Sequence, residues 1–228
     1  MVMRGKKIAL LSLLSASVLV ISGCSSGSDS GVAIEVPDIP MHQAMGDFEG
    51  ELNIVNWSGF VEPAWTDKFT ADTGCKVNPR VAGTSDEMVT LMRTGQYDIV
   101  SASGDAALRL IVGGDVQPLN IDLIPNFSDD IAAGMKGNVY DTVNGKPYGV
   151  PIGRGANLLQ YNEEITNGAP ESWDVVWELD SPYKGKITAY DAPIYIADAA
   201  VYLMYHKPEL GIQNPYALDE AQLAAAID

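Results

Sequence analysis

The sequence is poor in the residues that most often build metal centres and reactive sites. Its 228 residues include two cysteines and two histidines, too few for a disulfide scaffold or a metal cluster. Its one Gly-x-Ser-x-Gly match, at 23–27, stands between the apolar N-terminal run and a Ser- and Gly-rich stretch, where no strand-to-helix elbow is expected. The sequence contains no Gly-Lys-Ser/Thr phosphate loop, and neither His42 nor His206 has an obvious nucleophile partner. These absences argue against the common classes of catalytic site. We therefore expect a protein that is not an enzyme and that holds no cofactor and no metal.

Basic residues are scarce as well. The chain has 14 Lys and Arg against 30 Asp and Glu, for a net charge of −16. A nucleic-acid-binding surface needs a basic stripe, so nucleic acid is excluded as a partner. The acidic balance permits a cationic ligand, although acidity also serves solubility. With 46% hydrophobic and 19% charged residues, the composition is that of a globular protein, and it favours binding over catalysis.

The first 24 residues have the pattern of an export signal. Three basic residues among the first seven precede an apolar run at 8–21, which is too short to cross a bilayer core of roughly 30 Å. The sequence Ile-Ser-Gly-Cys closes this segment and resembles a bacterial lipobox with Cys24 as the acylated residue. We therefore expect a signal peptide over 1–23. Its removal takes away three positive charges and lowers the net charge from −16 to −19.

Residues 24–49 are expected to form a lipid-anchored flexible linker. The stretch at 25–31 consists of Ser, Gly and Asp, a composition typical of flexible tethers, and a segment that contains proline follows it. The expected location is extracytoplasmic, either in the periplasm or at the cell surface. Contact with the membrane would be through the lipid anchor only.

Residues 50–150 are predicted to form a first α/β lobe. The expected elements are strands at 52–56, 76–81 and 97–101 and helices at 62–73, 84–94 and 105–112. Thr84 and Glu87 predict a capping box at the start of the second helix. Strands that alternate with helices through short links imply right-handed crossovers and a mainly parallel sheet. Such a sheet binds its ligand beyond the carboxyl ends of its strands, here near 56–60 and 102–105.

Residues 151–228 are predicted to contain the hinge and an incomplete second α/β lobe. Gly and Pro are dense at 147–155, which is typical of a hinge or crossover. Strands are expected at 157–161 and 185–190, and helices at 192–205 and 217–227. The last helix reaches the end of the sequence without a stop signal, which is why we expect an incomplete lobe. Trp173 and Trp177 are expected to pack this lobe.

Four short motifs occur in order along the chain. They are Asn-Trp-Ser-Gly-Phe-Val at 56–61, Tyr-Asp-Ile-Val at 97–100, Tyr-Gly-Val-Pro at 148–151 and Ser-Trp-Asp at 172–174. Together they resemble the spermidine/putrescine-binding proteins, which are extracytoplasmic solute receptors of ABC importers. The resemblance implies an α/β, two-lobed periplasmic-binding-protein fold of type II that closes about a hinge. It also implies that this chain is truncated at its C-terminal side, so that the second lobe and the return segment are incomplete.

The resemblance also implies where the ligand binds. A polyamine needs carboxylates at its ammonium groups and aromatic walls along its methylenes. The resemblance assigns this binding to Trp57, Ser58, Phe60, Ser103 and Asp191. Trp57 is then an aromatic wall, and Asp191 is the carboxylate that receives an amine.

Three positions depart from the family pattern. Asp105 stands where an aromatic residue is usual, Ile194 stands where a second acid is usual, and Arg154 occupies a hinge position where an aromatic is common. We infer that one carboxylate has moved from the second lobe to the first and that a guanidinium faces the cleft. Asp105 and Arg154 therefore join the candidate ligand-binding residues.

The resemblance implies a lipoprotein receptor that captures a small cationic solute, similar to a polyamine, and delivers it to the permease subunits of an ABC importer. Arg154 keeps open a receptor of the same fold for a zwitterionic amino-acid derivative or an opine. A sensory receptor would keep the cleft and signal to a membrane kinase or chemoreceptor. An enzyme of the same lobed fold would need reactive groups that converge on the cleft.

Overall fold

A parallel sheet forms the centre of the first part of the chain. The computed structural model describes residues 32–228, and the strands of this sheet are β1 (Glu51–Asn56), β2 (Lys76–Val81) and β3 (Ile99–Val100). β1 lies in the middle and pairs in parallel with both neighbours, with Glu51 opposite Lys76. The predicted parallel sheet is confirmed. β3 is shorter than the predicted strand at 97–101 because only two of those residues form ladder pairs with β1.

Three helices accompany this sheet, as predicted. They are α1 (Pro63–Thr73), α2 (Ser85–Met92) and α3 (Gly104–Gly113). The Thr84 hydroxyl caps α2, since it accepts a hydrogen bond from the Glu87 N–H at 3.1 Å. The Glu87 carboxylate accepts from the N–H of Gly83 and not from that of Thr84. The predicted cap by the Thr84 side chain is therefore confirmed. The second hydrogen bond of the box, accepted by the Glu87 side chain, comes from Gly83, one residue before Thr84.

The core of this part lies between the sheet and the helices α2 and α3. Val55, Met88 and Leu110 are each at most 1% exposed and belong to one apolar cluster. Burial of a side chain of this size contributes about 1.5–3 kcal/mol, so this cluster fixes β1 against the two helices. By contrast, α1 has no buried residue, and its Trp65 and Phe69 are exposed. The carboxyl ends of β1 and β3, and the loops that follow them, are therefore held by packing against α2 and α3 and not against α1.

Part of the predicted linker lies against this lobe. Ile34 and Val36 pack on a cluster that includes Ile111 and Val143, and the Asn144 side chain donates a hydrogen bond of 3.2 Å to the Ile34 carbonyl. The partners come from α3 and from a hairpin that follows α4 (Pro125–Asp129) and consists of β4 (Thr142–Val143) and β5 (Lys146–Pro147). This stretch is therefore held on the lobe. The expected acylation site, Cys24, lies outside the described residues.

Helices but no strands follow Pro147 in the part of the chain that the structure describes. They are α5 (Glu163–Thr166), α6 (Asp174–Trp177), α7 (Ile194–His206) and α8 (Glu220–Ile227). The two long helices confirm the predictions at 192–205 and 217–227. The predicted strands at 157–161 and 185–190 are wrong. Their local apolar pattern suits a strand, but a strand also needs a hydrogen-bonded neighbour, and neither segment has one here.

The helices α7 and α8 pack on each other around Ala200, Leu203 and Ile212. Asp219 begins α8 with a complete capping box, because its carboxylate accepts from the Gln222 N–H while the Gln222 side chain accepts from the Asp219 N–H. Among residues 32–228, no helix is both long enough and apolar enough to span a bilayer.

Tyr216 joins the two parts of the chain. It lies in the turn before α8, and the nearby Asn214 side chain donates to the Val139 carbonyl at 3.3 Å. Its ring meets the Tyr140 ring edge to face, with centroids 5.5 Å apart. A Cβ atom placed on Gly104 would lie only 2.7 Å from the Tyr216 ring and 3.1 Å from the Cβ of Tyr140. The close approach of this tyrosine to the start of α3 therefore requires glycine.

The substitution Gly104→Ala tests this contact. In an open helical position, alanine is more favourable than glycine by roughly 0.5–1 kcal/mol. Here the added methyl group must push Tyr216 away, so we expect the free energy of unfolding to fall by about 1–3 kcal/mol in denaturant titrations. Gly134→Ala is the matched control, because no atom lies within 4 Å of its added Cβ and its φ is ordinary. Equal effects of the two substitutions would contradict the contact.

Candidate functional site

Three of the predicted ligand-binding residues lie in the loop that follows β1. Trp57 is half-buried and packs against the core of the first part. Ser58 is exposed, and Phe60 is 43% exposed. The Phe60 N–H donates to the Trp57 carbonyl at 3.2 Å and closes a turn. The loop therefore presents one anchored and one free aromatic ring at the carboxyl end of the central strand.

Ser103 and Asp105 lie at the start of α3, on the loop that follows β3. The Ser103 hydroxyl makes no capping bond to the helix; it donates to Asp105 Oδ1 at 2.7 Å. The hydroxyl of Ser85, at the start of α2, lies 2.7 Å from that of Ser103. The starts of two helices and the end of one strand thus share one polar cluster.

Two side-chain oxygens in the described residues are buried without a hydrogen-bond partner. They are Oδ1 of Asn56, the last residue of β1, and Oδ2 of Asp105. Both belong to the carboxyl end of the sheet. A buried acceptor without a donor costs about 1–3 kcal/mol, so this edge of the sheet has an unmet demand for hydrogen-bond donors.

Arg154 and Asp191 lie in the second part of the chain. Both are exposed. Arg154 lines a small cavity of about 260 Å³ together with Tyr140 and Asn138. Burial and the charge of Asp141 raise the pKa of Tyr140, and the nearby Arg154 charge opposes that rise. Arg154 thus approaches the Tyr140–Tyr216 pair, while no hydrogen bond from residues 32–228 reaches the Asp191 side chain.

A larger cavity of about 940 Å³, which the sequence analysis missed, lies between α6 and α7 and the chain around them. Asp198 is the one acid among its lining residues. The Tyr190 hydroxyl donates to this carboxylate, and the Asn157 amide lies 3.3 Å from both of its oxygens. Burial raises the pKa of the Asp198 carboxyl, and the hydrogen bond from Tyr190 opposes that rise. Burial and the same hydrogen bond raise the pKa of Tyr190.

Aromatic rings line the rest of this cavity. The Trp177 ring lies 4.7 Å from that of Tyr195 and 6.2 Å from that of Tyr202, which agrees with its predicted role in packing. The Tyr202 ring stacks on His206 at 3.9 Å. Tyr195, Tyr202 and His206 recur at helical spacing along α7, so their sequence pattern held the signal for this surface.

Asp174 lies outside the cavity lining, next to Trp173, and the pKa of its carboxyl shifts in the opposite direction to that of Asp198. Hydrogen bonds with Ser172 and then with Tyr202 hold the pKa of the Asp174 carboxyl below its ordinary value. Tyr202 places its hydroxyl 2.9 Å from Asp174 and 2.6 Å from Glu178. Within residues 32–228, no three His, Cys, Asp or Glu side chains are close enough to hold a metal ion. The cavity offers aromatic faces and the carboxylate of Asp198, and none of its lining residues comes from the carboxyl end of the sheet.

Comparison with known proteins places these features in a family. The family model of the bacterial extracellular solute-binding proteins matches residues 64–225. The putrescine-binding periplasmic protein SpuD of Pseudomonas aeruginosa is 27% identical over 182 residues, which are 75% of this chain and 49% of the relative. The spermidine/putrescine-binding periplasmic protein of Escherichia coli is 26% identical over 155 residues, 66% of this chain and 43% of the relative. The chain spans about half the length of these curated relatives or less.

A solved structure supports the fold. The substrate-binding protein of a spermidine/putrescine ABC transporter from Streptococcus pneumoniae superimposes with a TM-score of 0.50 at 23% identity, over 79% of this chain and 53% of that one. The parallel sheet, its flanking helices and the second helical part are thus an α/β arrangement of the periplasmic solute-binding type, as predicted. The chain belongs to the bacterial extracellular solute-binding protein family.

Proposed function

We propose that the full-length protein is an extracytoplasmic receptor that captures a polyamine-like solute and delivers it to the permease subunits of an ABC importer. The observation that carries this proposal is the carboxyl end of the parallel sheet, where unpaired buried acceptors stand beside accessible aromatic rings in a member of this family. Relatives named for putrescine and spermidine support the ligand class. The lobes would divide near residue 150, with the hinge after it.

The chemistry of a polyamine suits this edge. Its methylenes can lie along the rings of Trp57 and Phe60, and its ammonium groups need carboxylates and hydroxyls. Ser58 and Ser103 supply hydroxyls, and Asp105 supplies a carboxylate on the first lobe. In the proposed closed receptor, Asp191 supplies the carboxylate of the second lobe, which its exposure and free hydrogen-bonding capacity among the described residues permit.

Arg154 supports a second candidate ligand. Its guanidinium is exposed and lines a small cavity beside Tyr140, where it can pair with a carboxylate in bidentate fashion. A zwitterionic amino-acid derivative or an opine would use that pairing, and a polyamine would not.

The substitution Asp191→Asn in the full-length protein tests the ligand class. This substitution keeps shape and hydrogen bonding but removes the charge, so we expect putrescine and spermidine to bind more weakly by roughly 2–4 kcal/mol in isothermal titration calorimetry. Asp180→Asn, another exposed acid of the second part, is the control and should leave binding unchanged. Equal polyamine affinity in wild type and Asp191→Asn would end this ligand assignment. Lysine binding that is lost in Arg154→Gln would move the assignment to zwitterions.

We also propose that the mature protein is a lipoprotein anchored through Cys24, with a signal peptide over 1–23. The order of basic head, apolar run and Ile-Ser-Gly-Cys supports this anchor. The contacts of Ile34 and Val36 with the lobe mean that a tether from Cys24 would meet the folded domain about ten residues later.

Fractionation of cells that express the full-length gene tests the anchor. We expect the wild-type protein in the membrane fraction with an acyl group. We expect Cys24→Ser to carry no acyl group and to be either soluble or still joined to its signal peptide. Cys75→Ser controls for the loss of a thiol, since Cys75 is half-buried in the folded lobe. A wild-type protein that is soluble and unacylated would contradict the proposed anchor.

A further inference from the structure

Two segments that line the larger cavity have backbones without partners. They are 157–161 and 187–190, which we call the wall segments, and they belong to no helix or strand. Within residues 32–228, no N–H or C=O group of either wall segment takes part in a backbone hydrogen bond. A row of unpaired N–H and C=O groups is a template for pairing with another length of chain.

The wall segments also expose apolar side chains. Leu158 is 83% exposed, Tyr190 is 49% exposed and Ile187 is 37% exposed. All three line the cavity. Apolar side chains that gather on one concave surface mark a place where another part of a protein packs.

A single carboxylate ties both wall segments to α7. Asp198 accepts a hydrogen bond from the Tyr190 hydroxyl, and the Asn157 amide lies 3.3 Å from both of its oxygens. The ring of Tyr190 also meets that of Tyr195 edge to face, with centroids 5.3 Å apart. The wall segments are therefore held in place before anything pairs with them, which lowers the entropic cost of pairing.

The relatives and the position of α8 point to one occupant of the cavity. The aligned stretch is 49% of the putrescine-binding relative and 43% of the spermidine/putrescine-binding one, so about half or more of each relative lies outside it. Ala225 and Ala226, near the end of α8, pack in the cluster that contains Ala200 of α7. Chain that continues from Asp228 would thus leave beside the helix that lines the cavity.

We propose that the wall segments are docking edges for chain that follows Asp228 in the full-length protein, which pairs with them strand to strand and fills the cavity. Pairing satisfies their backbone groups, and the docked chain covers Leu158. The cavity is then part of the interior of the second lobe, and the carboxyl end of the parallel sheet is left for the solute. This docking goes beyond the proposed function, because it does not depend on which solute is bound.

Amide hydrogen exchange of the full-length protein without ligand tests the pairing. We expect amides at 158–161 and 187–190 to exchange roughly 100-fold more slowly than those at 152–155, because a ladder hydrogen bond must open before its amide exchanges. The control stretch at 152–155 precedes the first wall segment and is exposed. Exchange in the wall segments that is as fast as at 152–155 overturns the docking.

Two matched leucines test whether the docked chain covers the cavity wall. Leu158 and Leu179 are 83% and 74% exposed, but only Leu158 lines the cavity. In the full-length protein, we expect Leu158→Asp to lower the melting temperature by about 5 °C or more, since the new charge would be buried under the docked chain. We expect Leu179→Asp to change it by less than about 2 °C. Shifts of equal size overturn the covering of Leu158.

Photo-crosslinking identifies the occupant. The photoreactive amino acid p-benzoylphenylalanine, placed in the full-length protein instead of Leu158, should link to a peptide that follows Asp228 in a monomeric protein. Links found only to peptides of residues 32–228, in the same copy or a second one, overturn the assigned occupant, and so does the absence of any link. None of these three measurements uses a ligand, so their failure leaves the receptor function in place, and a failure to bind putrescine leaves the docking in place.

Discussion

Parallel pairing of β1 with both of its neighbours is the constraint on which the rest of the structure depends. Because the strands run in the same direction, the loops after β1 and β3 must leave the sheet at the same edge. The helices α2 and α3 hold that edge through the cluster around Val55, Met88 and Leu110. The aromatic loop at 57–60 and the polar cluster of Ser85, Ser103 and Asp105 therefore lie at the same edge of the sheet.

The second constraint is the contact between Tyr216 and Gly104. It brings the turn before α8 to the start of α3 and sets Tyr216 beside Tyr140. The carboxyl end of the sheet is thus bordered by both parts of the chain. In the proposed receptor, a ligand held from both sides would couple binding to the relative position of the two parts.

The helices and the sheet of the first lobe could be predicted because their signals are local. Thr84 begins α2, Gly74 ends α1 in the left-handed conformation at φ 75°, and apolar periodicity marks the buried faces. The strands expected at 157–161 and 185–190 failed because strand formation depends on a partner, and partners are not a property of the segment itself. The apolar pattern alone did not distinguish a paired strand from an extended stretch along a cavity wall.

The candidate site was predictable only in part. Trp57, Ser103 and Asp105 follow predicted strands, so the topology of a parallel sheet brings them to one edge. Tyr216 could not be found in this way, because its contact with Gly104 joins residues more than a hundred positions apart. The cavity around Asp198 was missed for a similar reason. Its tyrosines recur along α7, but a helical stripe of aromatic residues is equally typical of an ordinary core.

The structure thus contains two acidic and aromatic surfaces, and we assign the proposed solute to the edge of the sheet. Amide hydrogen exchange of the full-length protein, with and without putrescine, tests that assignment most directly. We expect putrescine to slow exchange at 57–60, at 103–106 and in the turn at 214–217 together. Slowing confined to the cavity segments at 157–162, 173–177 and 195–206, with no change at the sheet edge, would contradict it.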